Sequence, residues 1–370
     1  MVFNVLNPRP DFNGDGRTDI FWRNDLTNQN AVWLMNGAQI QRASFLPNVP
    51  EEAGWRETKL GDFNGDGKTD LFWRNAATGQ NAIWLMDGDR IASAQFIVGT
   101  NGAWQADIGD FNGDGKSDFF WHNKATGQTA AWVMNGFNIQ DARFLPNVPP
   151  EWESFVAEFN RDGKTDLFWR NNRTGENAVW TLNGAQLGTG QFVRSQQAGW
   201  APDLVDLDAD GRSDILWANQ DGRNAVWFWS RTSLNPEGSQ LNLPSTSART
   251  GSFLDPYARI FEVSGVNALF VIDPNTSSLS GLVLTDRQVQ SIPVNLGSDG
   301  QLGTRVAVLQ TGDFNGDGTS DIFVTARPEL AQILGLDIDT VLVGITGGSE
   351  VQELPGVNPL VGWRPRINFN

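Results

Sequence analysis

A nine-residue string returns along this chain at near-constant spacing, and no other feature restricts its fold as strongly. Asp11-Phe-Asn-Gly-Asp-Gly-Arg-Thr-Asp19 reappears at Asp62 to Asp70, Asp110 to Asp118, Glu158 to Asp166, Asp206 to Asp214 and Asp313 to Asp321. Successive copies start 51, 48, 48, 48 and 107 residues apart, the last step being about two periods. A period of this size marks an array in which each unit buries its apolar face against the next. Each copy is followed by an apolar run such as Ile20-Phe-Trp-Arg-Asn24, a polar turn, and a second run such as Ala31-Val-Trp-Leu-Met35. One unit, near Asp255, lacks the nine-residue string but keeps this outline in Ala268-Leu-Phe-Val-Ile-Asp273 and Gly281-Leu-Val-Leu-Thr285, so the units number seven.

The apolar runs are short, rich in β-branched and aromatic residues, and bounded by Gly, Asn, Asp and Pro, which are strand signals. Four fit in each unit; in the second they are Trp55 to Leu60, Asp70 to Arg74, Asn81 to Met86 and about Ala94 to Val98. Near-continuous apolar character means that both sheet faces are covered. Four-stranded sheets buried on both faces and repeated at this period predict a single-domain, all-β fold, a seven-bladed β-propeller. The expected blades are about 1–50 with 361–370, then 51–99, 100–148, 149–196, 197–245, 246–300 and 301–360. A short helix is expected over Pro328 to Gly335, with Pro in its first turn and Gly after its last.

Fifteen of the 16 tryptophans fall into three columns, with Trp229 outside them. Trp55, Trp104, Trp152 and Trp200 precede the loops, and Trp363 supplies the matching residue for the first unit. Trp22, Trp73, Trp121, Trp169 and Trp217 follow the loops. Trp33, Trp84, Trp132, Trp180 and Trp227 centre the third strands. The position of Trp363 leads to the expectation that the C-terminal strand completes the first blade and closes the ring, removing two raw sheet edges.

Within the repeated string, side-chain oxygens at positions 1, 3, 5 and 9 converge with the carbonyl of position 7, a set suited to a hard cation that takes six to eight oxygens. The candidate ligands are Asp11, Asn13, Asp15, Arg17 and Asp19; Asp62, Asn64, Asp66, Lys68 and Asp70; and Asp110, Asn112, Asp114, Lys116 and Asp118. The remaining sets are Glu158, Asn160, Asp162, Lys164 and Asp166; Asp206, Asp208, Asp210, Arg212 and Asp214; and Asp313, Asn315, Asp317, Thr319 and Asp321. The basic residues and Thr319 contribute through the backbone. A flexible all-oxygen cage favours calcium over magnesium, which prefers to keep its waters. Up to six calcium ions are expected, and they would bring the net charge of −16 to −4. The Glu158 copy, with Glu for Asp and Arg161 in place of Gly, is the weakest; the Asp206 copy, with an extra carboxylate, is expected to bind tightest.

On this loop followed by an apolar strand, the chain resembles the FG-GAP (VCBS-type) repeats of integrin α-subunit heads and of certain fungal and bacterial propeller lectins. The resemblance implies a seven-bladed propeller whose calcium loops brace the blades rather than catalyse. It departs from the integrin pattern in its Trp-Arg-Asn and Asn-Ala-Val-Trp strings.

The absence of cysteine excludes disulfides and a thiol nucleophile, and His122, the single histidine, leaves no repeated imidazole site. With every repeated carboxylate assigned to metal, no catalytic residue is expected, and the reading is a non-enzymatic binding module. A net charge of −16 argues against nucleic-acid partners, and no apolar run is long enough for membrane insertion. One reading makes the set Trp22, Arg23, Asn24, Trp73, Arg74, Asn75, Trp121, His122, Asn123, Trp169, Arg170 and Asn171 a repeated sugar site, with aromatic faces for the ring and planar donors for its hydroxyls. The other makes the tryptophans blade-to-blade core, with Arg stacked on Trp and Asn capping a turn. The expected ligand is therefore a glycan, in a lectin-like or adhesive role, with a protein-docking or scaffold role in a larger assembly as the alternative. Loops that fill at millimolar calcium favour an extracellular, cell-surface or periplasmic location, although no signal peptide is visible.

Overall fold

The second unit shows how the sequence becomes a blade. Trp55–Gly61, Asp70–Asn75, Asn81–Asp87 and Arg90–Ile97 pair antiparallel in chain order. The fourth strand starts earlier than its apolar run suggested, because Gly88, at φ +67°, lets the chain reverse directly after Asp87. A register shift between Leu85 and Met86 accommodates this turn. The third and fourth blades repeat the plan, from Trp104–Gly109 to Asn138–Leu145 and from Trp152–Ala157 to Gln186–Val193.

The structure is a computed structural model. It describes residues 9–237 except 25–26, 38, 51–53, 209 and 220–222, also 313, 314 and 316, and the backbone of the strands beyond these. Side chains are described in five blades, three with four strands and two with three. The three-stranded ones are the first (Ile20–Asn24, Asn30–Asn36, Gln39–Leu46) and the fifth (Trp200–Val205, Asp214–Asn219, Asn224–Trp227). Backbone pairing adds Trp363–Pro365 beside Ile20–Asn24 and Leu241–Leu243 beside Asn224–Trp227, and forms two further four-stranded sheets within Ile260–Pro293 and Val306–Leu354.

The expectation of a closed seven-bladed ring is corrected accordingly. Five blades pack one on the next, and among the described residues they form an arc that does not close. The sequence period counts units, whereas a blade is established by what packs on its faces. Asn24 pairs with Trp363 in the register in which Asn75 pairs with Trp55, but closure of a ring needs the side-chain packing of every unit. The expected helix at Pro328 to Gly335 lies outside the described residues; of the unit near Asp255 that lacks the nine-residue string, the strand backbone within Ile260–Pro293 is described.

Tryptophan and phenylalanine join the blades. The second strand of each blade turns a Phe toward the Trp of the next: Phe21 on Trp73, Phe72 on Trp121, Phe120 on Trp169 and Phe168 on Trp217, with ring centroids 5.6–6.3 Å apart and edge-on. Edge-to-face packing places the positive ring edge against the negative face and adds to the burial of both rings. Within a blade the second-strand and third-strand tryptophans pack together, as in Trp73 with Trp84 at 5.1 Å.

Candidate metal loops and the aromatic register

Each loop folds around its first and last carboxylates. In the first, Asp11 accepts backbone N–H bonds from Gly14 and Asp15 on Oδ1 and from Gly16 on Oδ2. Gly14 and Gly16, at φ +75° and +82°, supply the left-handed turns that aim these donors inward. Asp19 accepts from Phe12 at the loop start (2.8 Å) and from Met35 on the third strand (2.9 Å), tying the loop to the body of its blade. Asp70, Asp118 and Asp166 repeat these two contacts with Phe63 and Met86, Phe111 and Met134, and Phe159 and Leu182.

The loops are also joints between blades. Thr69 of the second blade donates its N–H to the carbonyl of Asp11 (2.7 Å), Asp11 donates to Thr69 Oγ1 (2.9 Å), and Gly88 donates to the carbonyl of Phe12 (2.8 Å). Ser117 clasps Asp62, and Ser213 clasps Glu158, in the same reciprocal way. The loop at Asp313 meets the first blade likewise, through Thr18 and Gly37.

Burial raises the pKa of Asp19 and Asp70 to about 7 and of Asp118 and Asp166 to about 8; the N–H donors oppose the shift, and the other loop carboxylates add to it. Asp206 is raised to about 6, chiefly by burial. Such carboxylates favour a cation beside them. Asp206, Asp208 and Asp210 bring one oxygen each within 4.8 Å of one another, a cluster able to coordinate a cation. The all-oxygen donor set fits calcium.

The fourth loop departs from the others. Glu158 reaches the N–H groups of Asn160, Arg161 and Gly163 with a longer side chain, and Arg161 takes φ +62° where the first three blades have Gly14, Gly65 and Gly113. In the loop at Asp313, Gly316 donates to Asp313 Oδ1; the side chains of Asn315, Asp317, Thr319 and Asp321 lie outside the described residues.

The twelve residues of the sugar reading are interior. Trp22, Arg23, Asn24, Trp73, Arg74, Asn75, Trp121, His122, Asn123, Trp169, Arg170 and Asn171 are all buried, none more than 4% exposed. Arg23 lies over Trp73 at 5.1 Å, Arg74 over Trp121 at 5.2 Å and Arg170 over Trp217 at 4.9 Å. Arg23 also donates to the carbonyls of Val49 and Trp55, and Arg74 to Asn81 Oδ1, Thr100 Oγ1 and the carbonyl of Asn101. Asn75 Oδ1 accepts from Ala77 and Thr78, capping the hairpin turn. Trp73 and Trp121 lie against arginine and Trp169 against His122, and burial leaves none of the four tryptophans of this set open to a sugar.

The solvent-facing aromatic column is a different one. Phe45, Phe96, Phe144 and Phe192 stand opposite Ala31, Ala82, Ala130 and Ala178 on the fourth strands of successive blades, each about 70% exposed. Phe96, Phe144 and Phe192 lie 5.9–6.5 Å from Trp55, Trp104 and Trp152. Sequence reasoning missed them because an apolar residue on a strand reads as core. The available signal was the polar company they keep, as in Gln39-Ile-Gln-Arg-Ala-Ser-Phe45.

Residues 11–73 and 62–121 match the FG-GAP-like repeat. The described blades thus form an all-β propeller arc in which residues 11–121 carry FG-GAP-like repeats. No curated protein matches it. Among solved structures it is similar to dihydro-heme d1 dehydrogenase NirN in complex with DHE, at 11% identity and TM-score 0.48, over 95% of this chain and 76% of that one. It is also similar to BBS1N in complex with ARL6DN, in a crystal soaked with lead at 13% identity and TM-score 0.43 (82% and 84% covered) and in one soaked with mercury at 14% and 0.42 (82% and 85%). No helix among the described residues is long and apolar enough to cross a membrane.

Proposed function

We propose that this chain is a calcium-braced propeller that serves as a protein-docking module. The supporting observation is the exposed phenylalanine column: four large apolar side chains at one register, on neighbouring blades, each left in water. Isolated exposed apolar residues are ordinary, but a repeated set presents a surface that gains by being covered. Calcium at the six loops would hold the blades, and hence this column, in fixed relation. Calcium loops of this kind fill at extracellular concentrations, which favours a cell-surface or secreted location.

The test replaces Phe45, Phe96, Phe144 and Phe192 together by Ser. The variant should melt within a few degrees of the wild type while losing the proteins that the wild type retains from its native source in calcium. Equal retention by both proteins contradicts the docking role. Binding on a glycan array that the variant loses would assign the column, with its Trp55, Trp104 and Trp152 neighbours, to sugar instead.

A further inference from the structure

The fifth blade carries two departures that meet in space. Its loop has Asp208 where other described loops have Asn13, Asn64, Asn112 and Asn160. Its third strand ends differently as well: Trp229 donates its N–H to Asp214 Oδ1 as Met35 does to Asp19, so Arg231, two residues on, falls where other blades have Gly37, Gly88, Gly136 and Gly184. Those glycines have φ of +61° to +67°, a turn that disfavours a side chain. In the fifth blade the chain instead bridges Trp229 to Pro236, and the Arg231 N–H reaches Glu237 Oε1.

The freed guanidinium returns to the loop. Arg231 Nε donates to Asp210 Oδ2 at 2.9 Å, and Nη2 lies 3.8 Å from Asp208 Oδ2. Arg212 is 3.6 Å from Asp210, but its position also carries a base in other blades, as Arg17 beside Asp15 shows. Arg231 is a base that the other described blades lack at this position, and it reaches the additional acid. One added negative charge and one added positive charge therefore meet within the very cluster whose oxygens lie close enough to hold a cation.

We infer that Arg231 is a built-in counter-ion of the fifth loop, which a divalent cation must displace to bind. The inference rests on the metal role proposed for the loops and deepens it: the copy richest in carboxylates is braced without metal and takes up calcium against an internal competitor. Entry of the ion releases Arg231, and with it the hold on the Trp229 to Glu237 turn.

Calorimetric titration of the full chain with calcium chloride, for wild type, Arg231→Gln and Arg231→Gln with Asp208→Asn, tests this. Arg231→Gln should tighten one site roughly fivefold, as expected for loss of a partly exposed ion pair. In chelator it should melt below the wild type, with Asp208→Asn restoring much of the loss. Normal calcium uptake with no change in Arg231→Gln, or an unchanged melt in chelator, overturns the role of Arg231 alone. A wild type that takes up no calcium overturns the metal role of the loops and the competition with it.

Discussion

His122 shows how a single position can break the pattern and keep its function in the fold. In the first and fourth blades an arginine reaches a carbonyl of the link to the next blade and that of the next blade's leading tryptophan, Val49 and Trp55 for Arg23, Gln196 and Trp200 for Arg170. His122 is too short for both. Its Nε2–H donates to Val148 at 3.0 Å, and Lys124 supplies the second bond, to Trp152 at 2.6 Å. Lys124→Ala should cost about 1.5 kcal/mol in urea unfolding, the scale of a hydrogen bond to a charged group. Adding His122→Arg should recover most of it; no recovery would show that the two residues do not share one task. Burial also lowers the His122 pKa, so the folded state resists its protonation. Its share of stability is present above pH 6.5 and is lost as pH falls below that value. The sequence marked His122 as standing in an arginine column, but Lys124 was invisible because its partner lies 28 residues away on another blade. The same non-local geometry left two readings open for Arg23, Arg74 and Arg170, a sugar site or stacking on tryptophan within the core, and they take the second.

Loops and strands were the most legible elements, since turn glycines, loop carboxylates and short apolar runs act locally. The second-blade strands begin at Trp55, Asp70 and Asn81 as the sequence indicated, and only the fourth, set by a tight turn, was misplaced. The loop electrostatics give a prediction of definite sign. Asp19, Asp70, Asp118 and Asp166 have folded pKa values near 7 to 8, above the unfolded value of 3.8. Between these limits the folded chain binds more protons than the unfolded one, so without divalent ions stability falls as pH rises from about 4 to 8. Calcium requires the ionised carboxylates, so the stabilisation it brings should grow over the same range. Melting series in chelator and in calcium should therefore diverge with increasing pH. Parallel series would show that these carboxylates do not belong to the ion site. The Arg161 turn belongs to this scale too. Arg161→Gly relieves a left-handed backbone and should raise stability by up to ~1 kcal/mol after the entropy cost of glycine, measured in urea.

Across the whole molecule, the loops do more than decorate the blades. Each described loop of the first four blades is gripped through the main chain by the blade that follows, so an ion placed there acts on a joint between two sheets. Blade number and closure were the least legible features. They depend on which units pack face to face, and a repeat period alone does not state that. The packing that is described places Arg and Phe of one blade on the Trp of the next, which makes the arc mechanically continuous. Loss of ions should accordingly be felt beyond the loops themselves. The most direct measurement is a calorimetric melt of the full chain in millimolar calcium and again after exhaustive chelation. Ions that bind only the folded state stabilise it by mass action, and several occupied joints should separate the two melting temperatures by roughly 10 °C or more. Superimposable melts would contradict the proposal that divalent cations brace these blades.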